Sequence, residues 1–350
     1  MARQRSSVVI RPSQRRQQSK WQREKSRQRA VITAGVIALF FILLIPAYGY
    51  WANFIAPPRA VVLQVDDTNY TLGYMAKYLT GVLELTGSNL DMSYEPFRLL
   101  QLLEENELVR SGAEQRGINA DPDDVDQEVR DRIIGASTEN LVDLEPGQLD
   151  KEFEEGYRLY LDTINLSVKE HRYMVEADLL RVKLTDALAD EIPSSAEQSM
   201  ISWIVLPEDR VEDIPKIIEG LEAGQEFVDL AEEFSSDRTT AVNGGEVGWV
   251  PQNAYPSLDS TISSLEPGEV SGAVQVGTDT YFLKLNDTDE DRVIEPAMID
   301  RLKSVALQIW LLNDRGNHRI SVCFGGGSSG GACDWQYDWL SKRLHEASLR

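Results

Sequence analysis

The sequence is poor in the residues that build metal centres and covalent scaffolds: in 350 residues it has only two cysteines, Cys323 and Cys333, and three histidines, His171, His318 and His345. None of them stands at the short Cys/His spacing of a zinc site, so no metal and no cofactor is expected. The two cysteines flank a Gly/Ser-rich stretch and can close one disulfide in an oxidising compartment or remain two free thiols; both readings stand. Charge is also absent in one place, because no Asp, Glu, Lys or Arg occurs from Ala30 to Pro58.

From Ala30 to Ile45 that uncharged stretch is almost unbroken Val, Ile, Ala, Leu and Phe, which predicts one membrane span over residues 30–55 in contact with a lipid bilayer. Tyr48, Tyr50, Trp51 and Phe54 follow as an interfacial aromatic belt. Residues 1–29 hold ten Lys or Arg against the single acid Glu24, so this tail carries +9 and, with a net charge of −22, the rest carries −31. The positive-inside rule then puts the tail in the cytoplasm and the chain after about residue 56 outside.

Basic runs also neutralise phosphate, but a span next to the tail is explanation enough, and no nucleic-acid partner is expected. A cleaved signal peptide is the closer competitor. Against it stand the long basic region, an apolar run beyond the about 7–15 residues of a signal core, and bulky aromatics around the small-x-small site Ala47-Tyr48-Gly49. With 42% hydrophobic residues the chain has material for two or three domains, which excludes a wholly disordered protein.

Past Pro57-Pro58, Ala60 to Val65 reads as a short strand, Asp66 to Asn69 as a turn and Tyr70 onward as a helix start. A helix from Phe97 presents Leu99, Leu102, Leu103, Val109 and Ala113, and Gly117 stops it; Asp121 caps the next, with Pro122 at its first position. Leu149 to Leu188 is again helical, with Phe153, Tyr157, Tyr160 and Leu161 as an aromatic stripe of the kind that usually forms core. From Met200 the pattern changes to a β-type run to Leu206, helical spacing over Ile214 to Leu221 and again over Phe227 to Phe234, then a hairpin of Val274 to Val276 with Thr280 to Leu285 around Gly277-Thr278-Asp279. That order implies a small α+β domain. Ile299 to Asn313 forms one more helix, expected to pack back on the earlier ones, and 325–331 reads as a flexible Gly/Ser linker before Trp335, Tyr337 and Trp339.

Three blocks now reached, Phe227 to Asp237, Asn243-Gly-Gly-Glu-Val-Gly-Trp249 and Ser264-Leu-Glu-Pro-Gly-Glu-Val-Ser271, resemble the parvulin family of prolyl isomerases. Leu108 to Ile118 leading into Asp121 to Asp126 is similar to the chaperone domain of SurA-type extracytoplasmic folding factors. The resemblance implies an α+β architecture with a transmembrane helix, a mainly helical chaperone domain and a four-stranded antiparallel sheet with flanking helices. Its parts are a basic tail (1–29), an anchor (30–55), a chaperone domain (59–195), a parvulin-like domain (198–288), a returning helix (296–322) and a tail (323–350).

The resemblance also implies a site. Where parvulins carry Ser-His and a second His, this chain has Ser202-Trp203 and Tyr281, so both signature histidines are replaced. The family's Met and Phe correspond to Ala254 and Leu258, and Asp237 stands where parvulins keep an Asp or Cys. The candidate catalytic residues are therefore Asp237, Tyr281 and Trp203; Leu258, Ala254, Trp249, Tyr255 and Phe282 are the candidate substrate-binding residues. A structural reading stands beside each: Asp237 as a turn cap, Trp249 and Leu258 as core, and Gly244, Gly245 and Gly248 as loop formers.

The implied partners are unfolded or newly exported polypeptides containing Xaa-Pro, and the implied function is that of a membrane-anchored extracytoplasmic foldase. The alternative is a catalytically inactive, parvulin-like chaperone or adaptor that only binds extended chain. Gly326 to Gly330 formally matches G-x-S-x-G but lacks a strand, a turn and a His partner. Glu104-Glu105, Asp123-Asp124 and Glu232-Glu233 read as solvated faces. Pro207-Glu208-Asp209 replaces the basic loop of phosphate-directed parvulins and so argues against a phosphopeptide substrate.

Overall fold

The computed structural model describes residues 13–87, 90–135, 146–325 and 331–349. The basic tail before Ser13, the Gly/Ser tract 326–330 and its formal motif lie outside the described residues. In chain order the elements are α1 (Ser13–Tyr50), β1 (Val61–Val65), β2 (Thr68–Thr71), α2 (Leu72–Thr86), α3 (Glu95–Gln115), α4 (Pro122–Gly135), α5 (Pro146–Ile164), α6 (Val168–Asp190), β3 (Ser195–Leu206), α7 (Ile214–Glu222), α8 (Phe227–Phe234), α9 (Arg238–Ala241), β4 (Glu246–Pro251), α10 (Asp259–Ile262), β5 (Val274–Val276), β6 (Asp279–Val293), α11 (Pro296–Asp314), β7 (Ile320–Val322) and α12 (Asp334–Ser348). Tyr70, expected to start a helix, instead lies in β2, because the Asp66-Asp67 turn sends the chain back along β1 before α2 begins.

One compact unit comprises residues up to Val62, Tyr70–Lys77 and Cys323 onward. Its α1 continues through a π-turn, Trp51–Ile55, and residues 31–55 are long and apolar enough to cross a membrane. Side chains from Val31 to Tyr48 are exposed all round the helix, so they bury against none of the described residues. Cys323 and Cys333 are joined in a disulfide with their Cα atoms 5.3 Å apart, which closes the alternative of free thiols. The tail beyond it is the helix α12, with Gln336, Leu340 and Leu344 buried at successive i,i+4 positions.

The other unit holds Leu63–Asn69 and Tyr78–Val322. Within it α3, α4, α5 and α6 pack as a helical layer. Val109 and Ala113 of α3 meet Leu180, Leu184 and Leu188 of α6, while Val125, Val129 and Ile133 of α4 meet Val175 and the Phe153, Tyr157 and Tyr160 stripe. The long helical stretch after Leu149 breaks at Asn165, which adopts a left-handed φ of 54°, and Ser167 then starts α6 with a reciprocal Ser167–Glu170 capping box. Glu104 and Glu105 are half-buried rather than solvated, and pair with Arg315 at 2.6 Å and Arg181 at 3.2 Å.

Beyond α6 stands an antiparallel sheet in the order β4-β3-β6-β5. Strand alternation splits its side chains into two cores. Ile204, Leu206 and Phe282 face α7 and α8, packing on Ile217, Phe227 and Leu230. Ile201, Leu283 and Leu285 face the other way, onto Val250, Ala254, Leu258 and Leu302. Both β3 and β6 run longer than the sequence pattern suggested, because Ser195–Met200 pairs with Asp287–Val293.

Candidate functional site

The candidate residues on the Ile201 face are brought together. Trp203 and Tyr281 project from neighbouring strands, since Trp203 pairs with Leu283 and Val205 with Tyr281. Tyr255 arrives from the turn between β4 and α10. The Trp203 ring makes edge contacts with Tyr255 (centroids 5.2 Å apart, 81°) and Tyr281 (5.8 Å, 75°). All three side chains are half-buried and form an aromatic cup with Trp203 in the middle.

Asp237 fixes that centre. The Trp203 indole donates from Nε1 to Asp237 Oδ2 at 2.8 Å and to Thr240 Oγ1 at 3.1 Å, and the Thr240 hydroxyl donates to the same Oδ2 at 2.8 Å. Asp237 Oδ1 accepts from the Thr239 amide at 3.1 Å, so the side chain also caps α9, as the structural reading proposed. The main chain of Trp203 is fixed as well, since its amide donates to the Gly245 carbonyl at 2.9 Å. Gly245 sits at φ 83°, and a Cβ there would collide with the Trp203 carbonyl oxygen, so this loop position requires glycine on both counts.

Burial works to raise the Asp237 pKa, but the donors from Trp203, Thr240 and the Thr239 and Thr240 amides outweigh it and hold the carboxyl below its ordinary value. Asp237 is therefore an anion at neutral pH. Burial pushes the Tyr281 phenol up, with the Asp279 and Asp237 charges adding to it; burial does the same to Tyr255, offset in part by Arg301. Both phenols thus keep their protons as donors.

Ala254 and Leu258 lie directly beneath, 0% and 3% exposed, and act as the floor of the cup rather than its surface. Phe282 and Trp249 are corrections. Phe282 is fully buried on the opposite face with Ile204 and Phe227, because it neighbours Tyr281 on one strand. Trp249 is adjacent to Val250 of the Ile201-side core and so turns away, stacking under the Arg292 guanidinium at 4.3 Å. Sequence reasoning missed Thr240 and Arg301. Thr240 stands three residues after Asp237, the spacing of neighbours on a helical turn, and this could have pointed to it. Arg301, whose guanidinium lies 4.8 Å over Tyr255, comes from α11 and carries no local signal.

Beside the cup on the same face, a cavity of about 320 Å³ is lined by Ser199, Val250, Asp259, Ile262 and Leu285. Burial raises the Asp259 pKa, but its carboxylate accepts from the Asn253 amide at 2.9 Å and so serves a turn in which Asn253 has φ 72°. Among the described residues no cluster of His, Cys, Asp and Glu could hold a metal ion.

Comparisons with known proteins find one family over part of the chain. Residues 208–287 match the family described as rotamase, PPIC-type PPIase domain. The foldase protein PrsA of Oceanobacillus iheyensis is 36% identical over 80 residues, which are 23% of this chain and 27% of that protein. The foldase protein PrsA of a Geobacillus species is 28% identical over 159 residues, 41% of this chain and 57% of the relative. The chaperone SurA of Alkalilimnicola ehrlichii is 28% identical over 100 residues, 28% and 23% of the two chains. The chain thus spans between about a quarter and somewhat over half the length of these relatives.

Proposed function

Residues 208–287 belong to the PPIC-type peptidyl-prolyl isomerase domain family, in a chain related to PrsA and SurA proteins, and from that premise we propose that this protein is a membrane-anchored extracytoplasmic foldase. Its aromatic cup binds Xaa-Pro segments of unfolded polypeptide and eases their isomerisation. The observation that carries this reading is the Trp203–Asp237–Thr240 network joined through Trp203 to Tyr255 and Tyr281, which keeps a polar, ionised group against an aromatic surface although the histidines implied by the resemblance are replaced.

The chemistry asks little of the protein. A planar imide is held by resonance behind a barrier of about 18–20 kcal/mol, and no bond is made or broken as it turns. Twisting removes that resonance, draws negative charge off the carbonyl oxygen and returns a lone pair to nitrogen. An anion near the carbonyl therefore penalises the planar form more than the twisted one, and a phenol donating to the nitrogen assists only the twisted one. Asp237 supplies the first and Tyr281 the second, while the rings of Trp203 and Tyr255 cradle the pyrrolidine.

A second reading, binding without catalysis, is favoured by a specific observation: both Asp237 oxygens already accept hydrogen bonds from Trp203, Thr240 and Thr239. A protease-coupled or refolding assay on Xaa-Pro peptides separates the two. Catalysis predicts a rate above the buffer control that falls in Asp237→Ala. Suppressed client aggregation with no such rate leaves the chaperone reading alone, and neither effect removes both.

A further inference from the structure

The cup is not finished by the stretch that carries the family match. Tyr255 sits on a turn, and its ring is covered from outside residues 208–287 by Arg301 of α11. The Arg301 guanidinium lies 4.8 Å from the Tyr255 ring centroid, and its Nε donates to the Ala254 carbonyl at 2.9 Å. One side chain thus grips both the aromatic wall and the peptide unit preceding it. Among the described residues Arg301 makes no ion pair, so its charge is not neutralised by a neighbouring carboxylate.

The position of Arg301 is itself fixed by packing at both ends of its helix. Met298, Ile299 and Leu302 bury into the core that contains Ala254 and Leu258. One to two and a half turns further on, Ala306, Leu307, Trp310 and Leu311 pack on α3 and α6. The Trp310 ring fits there only because Gly112 of α3 has no Cβ, which would collide with it. A helix clamped in two cores has little freedom to rotate, and interiors packed this closely transmit displacement rather than absorb it. An exposed arginine on a helix is ordinarily a solvated residue. This one differs in its double contact with a single cleft wall.

We propose that Arg301 is a positioning residue of the peptide cleft: it holds Tyr255 against Trp203, so that the cleft is complete only with α11 docked between the sheet and the helical layer. The proposal rests on the reading of the aromatic cup as the peptide site, and adds that the site's competence depends on a helix beyond the isomerase stretch.

The test uses the full chain in detergent micelles, with 3-fluorotyrosine at position 255 and an Ala-Pro tetrapeptide as probe. Arg301→Ala and Arg301→Gln should weaken peptide binding about tenfold, only a part of what a cation–π contact and a charge-assisted hydrogen bond are worth, because both act on the cleft wall and not on the peptide. Arg301→Lys keeps a cation over the ring and should recover binding to within about threefold of wild type. The fluorine signal should also report that the Tyr255 phenol titrates at higher pH in the Ala and Gln variants, because the nearby cation is gone. Should Arg301→Ala or Arg301→Gln fail to fold, the other still supplies the charge-lost arm against Arg301→Lys; should Arg301→Lys fail, wild type supplies the charge-kept arm. Unchanged affinity in Arg301→Ala and Arg301→Gln, against a wild type that binds the peptide, would overturn the proposal whatever the Tyr255 titration does. A wild type that does not bind the peptide sinks the peptide-site reading instead, and the Tyr255 titration then decides alone whether Arg301 governs that wall.

Discussion

At the place where the resemblance to parvulins implies a histidine, Trp203 offers one ring N–H, which it donates to Asp237, and its ring fills the space between Tyr255 and Tyr281. Trp203→Phe keeps most of the ring and removes the donor, so it should cost about 1–2 kcal/mol, read as a lower denaturant midpoint. It should also raise the Asp237 pKa. Since the folded pKa is depressed, the stability that Asp237 contributes is present above its unfolded value of about 3.9 and is lost as pH falls through the folded value. The acid limb of the stability profile should therefore move to higher pH in Trp203→Phe; an unmoved limb would show that the indole does not hold the carboxylate. Asp237, Trp203 and Tyr281 were named through the resemblance to parvulins rather than by any local pattern, and the structure brings the three side chains together. Phe282 and Trp249 were misplaced because, on a strand, one residue of offset is the difference between the two faces, and an apolar side chain suits either core.

At the scale of elements the sequence marked most helices by their apolar spacing and their caps, and missed what depends on distant pairing. The acidic run Asp287 to Asp291 lies past the Thr280–Leu285 strand that the sequence marked, yet it is strand because Ser195–Met200 lies alongside to pair with it. A second distant pairing is titratable. His318, between α11 and β7, bonds through Nδ1 to Asp66 at 2.6 Å in the β1–β2 turn and through Nε2 to Asp314 at 3.0 Å at the end of α11. Around it stand Asp67 with Arg319, and Arg315, which pairs with Glu104. Burial works to lower the His318 pKa, but the two carboxylates outweigh it and hold it above its ordinary value. A raised folded pKa means that this contribution is fully present below about pH 6.5 and is lost as pH rises through the folded value. Urea midpoints of wild type should thus fall relative to those of His318→Gln between about pH 6 and pH 9. A gap between the two proteins that stays constant over that range would rule out a charged clasp.

For the whole molecule the decisive contrast is between +9 before the apolar stretch and −31 for the rest. Residues 31–55, at about 1.5 Å per residue, extend about 37 Å, more than the roughly 30 Å of hydrocarbon they would have to cross, so a tilted single span accommodates them. A helix apolar on every side, with side chains from Val31 to Tyr48 exposed among the described residues, is of the kind that lipid suits as a solvent. The Cys323–Cys333 disulfide suits an oxidising compartment on the far side of such a span. Placing Arg at Leu43, inside the span, should cost about 3 kcal/mol of insertion and move much of the chain out of the carbonate-resistant membrane fraction. Protease added to spheroplasts should digest the wild-type chain beyond about residue 56 while sparing a fragment that contains the basic tail. Digestion of the tail with the rest spared would invert the orientation, and release of the mature chain without its first fifty residues would make the span a signal peptide. Only with the tail inside and the span retained would the cup face newly exported chains while still tethered to the membrane they leave.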